Sequence, residues 1–183
     1  MKRFIASALT ALAVLSSSHS ASAYTAGQFR LSGVLGQVGL LGDPGDDGAN
    51  AIGLGLGAAY QLDENLAFDI RFMGSSHSNI AHRDLSVGAE YYFGDYTNAY
   101  PHIQVGMSFL SNELKAQNVS GDAVGIYVGG GLAFELSRKF QIGPELRFVK
   151  AFEANRTING TGITTVADNY SLLLRLQYVL GDD

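Results

Sequence analysis

Alternation constrains this chain more than any other feature. After residue 23, eight segments carry apolar side chains at every second position. Period 2 is the mark of an extended strand with one apolar face. The second segment is the clearest, with Ile52, Leu54, Leu56, Ala58, Tyr60 and Leu62 opposite Gly53, Gly55, Gly57, Ala59 and Gln61. The stretches Leu66 to Met73, Asp84 to Phe93, Ile103 to Phe109, Gly125 to Leu136, Phe140 to Phe148 and Tyr170 to Leu180 obey the same rule. The first segment alternates from Phe29 to Leu35 but slips between Val34 and Val38, which predicts a bulge there. Pro144 falls mid-strand on an apolar face, where it removes a ladder donor and again suggests a bulge. After residue 23, the longest stretches free of Asp, Glu, Lys and Arg are 48–62 and 96–112. Both fall short of the roughly 20 residues that a spanning helix needs.

The connections alternate as strictly as the strands. Residues 63–65, 94–99 and 137–139 form tight links, whereas 42–50, 74–83, 111–122 and 153–168 are longer and polar. Short turns on one rim and long loops on the other characterise outer-membrane barrels, and an even strand number returns both termini to the periplasmic side. The expected fold is all-β: an eight-stranded antiparallel transmembrane up-and-down β-barrel.

Two observations place the apolar face outside rather than inside, as a soluble barrel would have it. The opposite face is small and glycine-rich, a poor surface for water but one that leaves room for long side chains in a narrow lumen. That face carries Arg30, Arg71, Arg147 and Arg175 against Asp69, Asp84, Glu90, Glu135 and Glu145. Such near-balance is what a buried ion-pair network requires. On the apolar face, Phe29, Tyr60, Phe68, Tyr91, Phe93, Phe134, Phe140 and Tyr178 collect near the short-turn ends, as an interfacial girdle would, while Tyr100 is off parity.

The first 23 residues read as a secretory leader. Lys2 and Arg3 precede the apolar run Phe4 to Leu15, and Ala21-Ser22-Ala23 forms an A-x-A cleavage site. The run is too short to anchor in a bilayer, so cleavage is expected before Tyr24, leaving the barrel as residues 24–183. The formal charge of −5 and a pI near 5.2 exclude a nucleic-acid partner, which needs a basic patch. The absence of cysteine excludes disulfides, thiolate metal sites and a cysteine nucleophile.

Three runs carry a family resemblance. Tyr100-Pro101-His102-Ile103-Gln104-Val105-Gly106 resembles a fifth-strand motif of small outer-membrane barrels. Gly129 to Ser137 and Gly143-Pro144-Glu145-Leu146-Arg147-Phe148 are similar to the paired sixth and seventh strands of the opacity-porin-like and OmpA-like superfamily. The resemblance implies an outer-membrane location, contact with lipid and lipopolysaccharide, and a role in adhesion, envelope stability or resistance to host factors. Such barrels usually end in an aromatic residue, whereas this sequence ends Tyr178-Val179-Leu180-Gly181-Asp182-Asp183, leaving Tyr178 and Leu180 as the terminal signal.

Candidate chemistry is thin. Gly53 to Ala58 loosely matches a dinucleotide fingerprint but lies inside a strand rather than at a strand–helix junction. His77, Ser78 and Glu90 invite comparison with lipid A deacylases, but His77 and Ser78 are adjacent and would point apart if extended. His77 and His82 lack a third ligand for a metal. No cofactor is expected. The leading reading is a non-enzymatic, monomeric barrel with a plugged lumen, its four long loops available to a surface ligand. A narrow pore and a lipid A-modifying enzyme are the alternatives.

Overall fold

The computed structural model describes residues 24–41, 50–94, 98–115, 119–152, 154–158, 161–165 and 168–180. Ten strands run in chain order: β1 (Phe29–Leu40), β2 (Asn50–Gln61), β3 (Leu66–Ser76), β4 (Ile80–Tyr92), β5 (Ala99–Leu114), β6 (Val119–Ser137), β7 (Phe140–Ala151), β8 (Ala154–Ile158), β9 (Thr161–Thr165) and β10 (Asn169–Leu180). Eight of them close into a barrel in the order β1-β10-β7-β6-β5-β4-β3-β2, every neighbouring pair antiparallel. Closure comes from β1 against β10, paired from Phe29–Leu180 through Leu40–Asn169. Each backbone amide left unpaired in hydrocarbon costs several kcal/mol, and a closed ladder leaves no edge to bear that cost.

The side chains sort by parity. Ile52, Leu54 and Leu56 of β2 point outward with 71%, 66% and 71% exposure, and Val105, Val128 and Leu174 do the same elsewhere on the wall. Arg30, Arg71, Glu90, Glu145, Arg147 and Arg175 point into the lumen and are almost fully buried. The molecule is therefore inverted relative to a soluble domain, with its charge inside and its apolar surface outside.

Two details of the strands depart from the sequence-based expectations. β1 has no bulge, because it pairs one-to-one with β10 along its whole length and with β2 from Phe29 to Gly39. Val34 and Val38 point inward and the polar Gln37 outward, so the alternation disappears without any change of register. The β6–β7 bulge lies between Glu135 and Ser137 rather than at Pro144. Pro144 keeps its register opposite Leu174 of β10. The β6–β7 ladder pairs Gly131 with Glu145, then resumes at Phe134 and Ile142, so the gap coincides with the amide that proline lacks. Gly143 fills that gap for a steric reason, since a β-carbon there would collide with the Leu132 carbonyl oxygen.

The external connections are also shorter than the polar stretches implied. β3 and β4 stay paired through Gly74–Arg83, Ser75–His82 and Ser76–Ala81, so the expected loop 74–83 reduces to residues 77–79. Likewise β5 and β6 pair out to Leu114–Val119, and the expected loop 111–122 reduces to residues 115–118. The stretch 153–168 contains the β8–β9 hairpin, paired from Ala154–Thr165 to Ile158–Thr161. Beyond the hydrocarbon neither face must be apolar, so a strand continues there without the alternation that reveals it. Residues 42–49 and residues 1–23, where the expected leader falls, lie outside the described residues.

Candidate functional site

The most concentrated chemistry lies in the lumen, in a layer towards the short-turn end. β1 contributes Arg30, β3 Asp69 and Arg71, β4 Glu90 and Tyr92, β5 His102, β7 Glu145 and β10 Arg175. All lie on the inward parity of their strands, and all are buried. Their arrangement is a mesh rather than a set of isolated pairs. Glu90 accepts from Arg30 Nη2 at 3.4 Å, from the Tyr92 hydroxyl at 2.9 Å and from Arg175 Nη1. Glu145 accepts from Arg71 through both guanidinium ends, with the Nη2 bond at 3.2 Å, and Arg175 Nη1 lies 3.0 Å from its Oε2. Arg175 Nη2 also donates to the Tyr92 hydroxyl at 2.8 Å. Asp69 Oδ1 stands 4.0 Å from Arg71 Nη2.

Three guanidiniums thus face three carboxylates, and the formal charges cancel. In a low-dielectric interior that balance decides whether the layer is tolerable. A buried pair roughly offsets its own desolvation, whereas an unpaired partner costs about 3–5 kcal/mol. The mesh joins β1, β3, β4, β7 and β10, so it reaches across the lumen from wall to wall.

Glu90, His102 and Glu145 bring potential ligand atoms within 4.8 Å of one another, the one such grouping of three among the described residues. The two carboxylates are already held by Arg30, Arg71 and Arg175. A cation would have to displace those guanidiniums, so the donor set suits arginine better than metal. Among the described residues, no grouping of three potential metal ligands includes His77 or His82. His77 Nε2 instead lies 3.1 Å from Ser75 Oγ, and His82 Nδ1 2.7 Å from Asn112 Oδ1. Ser78 is exposed, and Glu90 is committed to the charged layer, so His77, Ser78 and Glu90 form no catalytic constellation.

The remaining predicted charges lie elsewhere. Arg147 stands 3.5 Å from Asp84 Oδ2, donates to Ser108 Oγ at 3.0 Å and covers the Tyr127 ring at 3.9 Å. Glu135 is half-buried near the periplasmic rim and accepts from the Tyr100 hydroxyl at 2.9 Å. On the outer face, Phe29 meets Tyr60 at 4.8 Å, Tyr91 meets Phe93 at 5.2 Å, and Phe140 meets Tyr178 at 4.9 Å between ring centroids. Phe68 and Phe134 are exposed beside these pairs.

Sequence reasoning missed several lumen residues. His102 shares the inward parity of β5 with Gln104, which the alternation already sets opposite the apolar face, and could have been read from it. Tyr100, off parity for the girdle, is off parity because it points inward. Tyr24, ahead of the first alternating segment, carried no periodic signal at all.

A closed eight-stranded barrel with an apolar exterior and a charge-filled lumen defines an integral outer-membrane protein. The chain belongs to the family of the outer membrane protein beta-barrel domain, whose model matches residues 7–178. Comparison with curated protein sequences finds no match. Among solved structures, the outer membrane protein OprG of Pseudomonas aeruginosa is similar, with a TM-score of 0.64 at 12% identity over 88% of this chain and 99% of that one. The N-terminal β-barrel domain of Pseudomonas aeruginosa OprF gives 0.63 at 11%, over 86% and 100%. Ail, the attachment invasion locus protein of Yersinia pestis, gives 0.54 at 16%, over 85% and 100%. At these identities the likeness concerns the fold.

Proposed function

We propose that the protein is a non-enzymatic, monomeric outer-membrane barrel that presents its external hairpins for adhesion or envelope contact. The carrying observation is the wall-to-wall mesh of Arg30, Arg71, Arg175, Glu90, Glu145 and Asp69, which fills the lumen with groups already committed to one another. A barrel blocked in this way has its outer surface and external rim left for interaction. The apolar stripes suit contact with lipid and lipopolysaccharide. In this reading residues 1–23 are a leader removed before Tyr24. Shortening each external hairpin separately should reduce binding to host-cell or envelope ligands without altering heat-modifiable gel mobility. Undiminished binding after all the hairpins are shortened would sink the proposal.

One observation favours a second reading, a narrow pore. Several buried polar atoms of the lumen, among them Asp84 Oδ1 and His82 Nε2, have no hydrogen-bond partner among the described residues. Groups of this kind are ordinarily satisfied by internal water. Planar-bilayer recording on refolded protein separates the two: a plugged barrel gives no steady single-channel current, and a pore does.

A further inference from the structure

Just before β1 the chain does something that barrel geometry does not demand. Residues 24–28 fold back under the lumen. Gly27, at φ 89, makes the turn in a conformation that L side chains rarely adopt. The Gly27 amide donates to the Gln61 carbonyl at 2.9 Å, and the Gln61 amide donates to the Gln28 carbonyl at 2.9 Å, tying the turn to the end of β2. The Thr25 amide donates to Gln28 Oε1 at 3.1 Å. The result carries Tyr24 inward, where it is only 6% exposed.

What Tyr24 meets there is a prepared seat. Its ring stands edge-on to Tyr92 at 4.8 Å and lies 5.7 Å from Tyr100. The Arg30 guanidinium sits 4.2 Å from the Tyr24 ring centroid and 4.8 Å from that of Tyr92. The Tyr24 hydroxyl donates to Gln141 Oε1 of β7, at 2.5 Å. Ala133 of β6 and Val179 of β10 complete the cluster. A surface aromatic would need none of these partners, which come from β1, β4, β5, β6, β7 and β10.

We propose that residues 24–28 are a stopper for the periplasmic mouth, with Tyr24 as its head, sealing the space below the charged layer from the periplasm. The stopper deepens the plugged-barrel reading, but its head, Tyr24, and that residue's hydrogen-bond partner Gln141 lie outside the charged mesh, so the two can fail separately. It also stands whether or not residues 1–23 are removed, which the intact mass of the exported protein reports on its own.

The chain contains no cysteine, so one introduced thiol reports local access cleanly. Ala133→Cys places that thiol in the Tyr24 cluster, on the periplasmic side of the charged layer. In refolded protein, a cationic methanethiosulfonate reagent should label it at least tenfold more slowly than in the urea-unfolded chain. Adding Tyr24→Ala should remove most of that protection, Tyr24→Phe should keep it, and Gln141→Ala should give an intermediate rate. Equal rates with and without Tyr24→Ala in barrels that retain heat-modifiable mobility would overturn the stopper, as would fast labelling of the parent. Conductance of the Tyr24→Ala variant is the separate readout. Opened labelling without current leaves both proposals standing, and opened labelling with current removes the charged layer as the plug.

Discussion

Towards the periplasm the lumen is crossed by a mesh of charge, and towards the outside apolar clusters share it with the single Arg147–Asp84 pair and with buried serines, histidines and Asn169. The periplasmic half holds the Arg30, Arg71, Arg175, Glu90, Glu145 and Asp69 mesh above the tyrosine cluster. The external half holds Val34, Val38, Met73 and Leu173 in one cluster and Leu110, Ala123, Tyr127, Val149 and Ala151 in another. Both fillings occupy the lumen, but they fail differently. A charge mesh is intolerant of losing one member, because every partner is left buried and unpaired. An apolar filling is intolerant of added volume, because its walls are backbone.

The largest expected effect comes from breaking the mesh at its hub. Glu90→Gln keeps the shape but leaves Arg30 and Arg175 short of a counter-charge. Folding stability should fall by about 3–5 kcal/mol, measured as the urea midpoint of the heat-modifiable gel shift. An unchanged midpoint would show that internal water, rather than the mesh, satisfies these groups.

The matching test in the external half adds volume. A β-carbon at Gly53 would lie 2.5 Å from Val38 Cγ2, so Gly53→Ala should cost about 1–3 kcal/mol. Val38→Ala should recover part of that loss in a double-mutant cycle. Strictly additive losses would mean that the two sites do not share one space.

Two smaller predictions sharpen the contrast between inside and outside. Lys150 and Asp168 also form an ion pair, but the lysine side chain is 71% exposed. Lys150→Ala should therefore cost no more than about 1 kcal/mol, and less in high salt. A cost comparable to that of Glu90→Gln would remove burial as the explanation of the difference. Tyr127→Phe should change least, within about 0.5 kcal/mol, because the buried hydroxyl has no hydrogen-bond partner among the described residues. A larger loss would point to a water bridging that hydroxyl to its surroundings.

Much of the architecture was legible because lipid imposes a rule that sequence must show. Each strand needs one apolar face where it crosses hydrocarbon, and Ile52 to Leu62 or Tyr170 to Leu180 display that face directly. What escaped notice lies where the rule lapses. In β1, Val34 and Val38 make the inner face apolar and the polar Gln37 turns outward, so the period vanishes while the strand continues. Leu173 hides in the same way between Leu172 and Leu174, all three apolar but only Leu173 turned inward. The glycines were expected to make room for charged side chains. In the external half they accommodate apolar and aromatic ones, with Gly53 and Gly55 against Val38 and Val34, and Gly88 and Gly106 against Tyr127. Which side chain fills the space above a glycine depends on strand register and tilt, neither of which a single sequence displays.

The unequal strand lengths also give the barrel a direction within the plane of the membrane. β6 pairs with β7 no further out than Gly125–Ala151, yet it continues alongside β5 to Val119. At about 3.4 Å per residue, those extra residues raise that side by about 20 Å along the strand. Among the described residues, β5 and β6 therefore form a crest above the end of the β6–β7 ladder, with the β8–β9 hairpin beside its β6 flank. An object approaching along the membrane normal meets that crest on one side of the rim. Turning the molecule about that normal changes what it offers a neighbour, although a barrel viewed from above suggests that every side is alike.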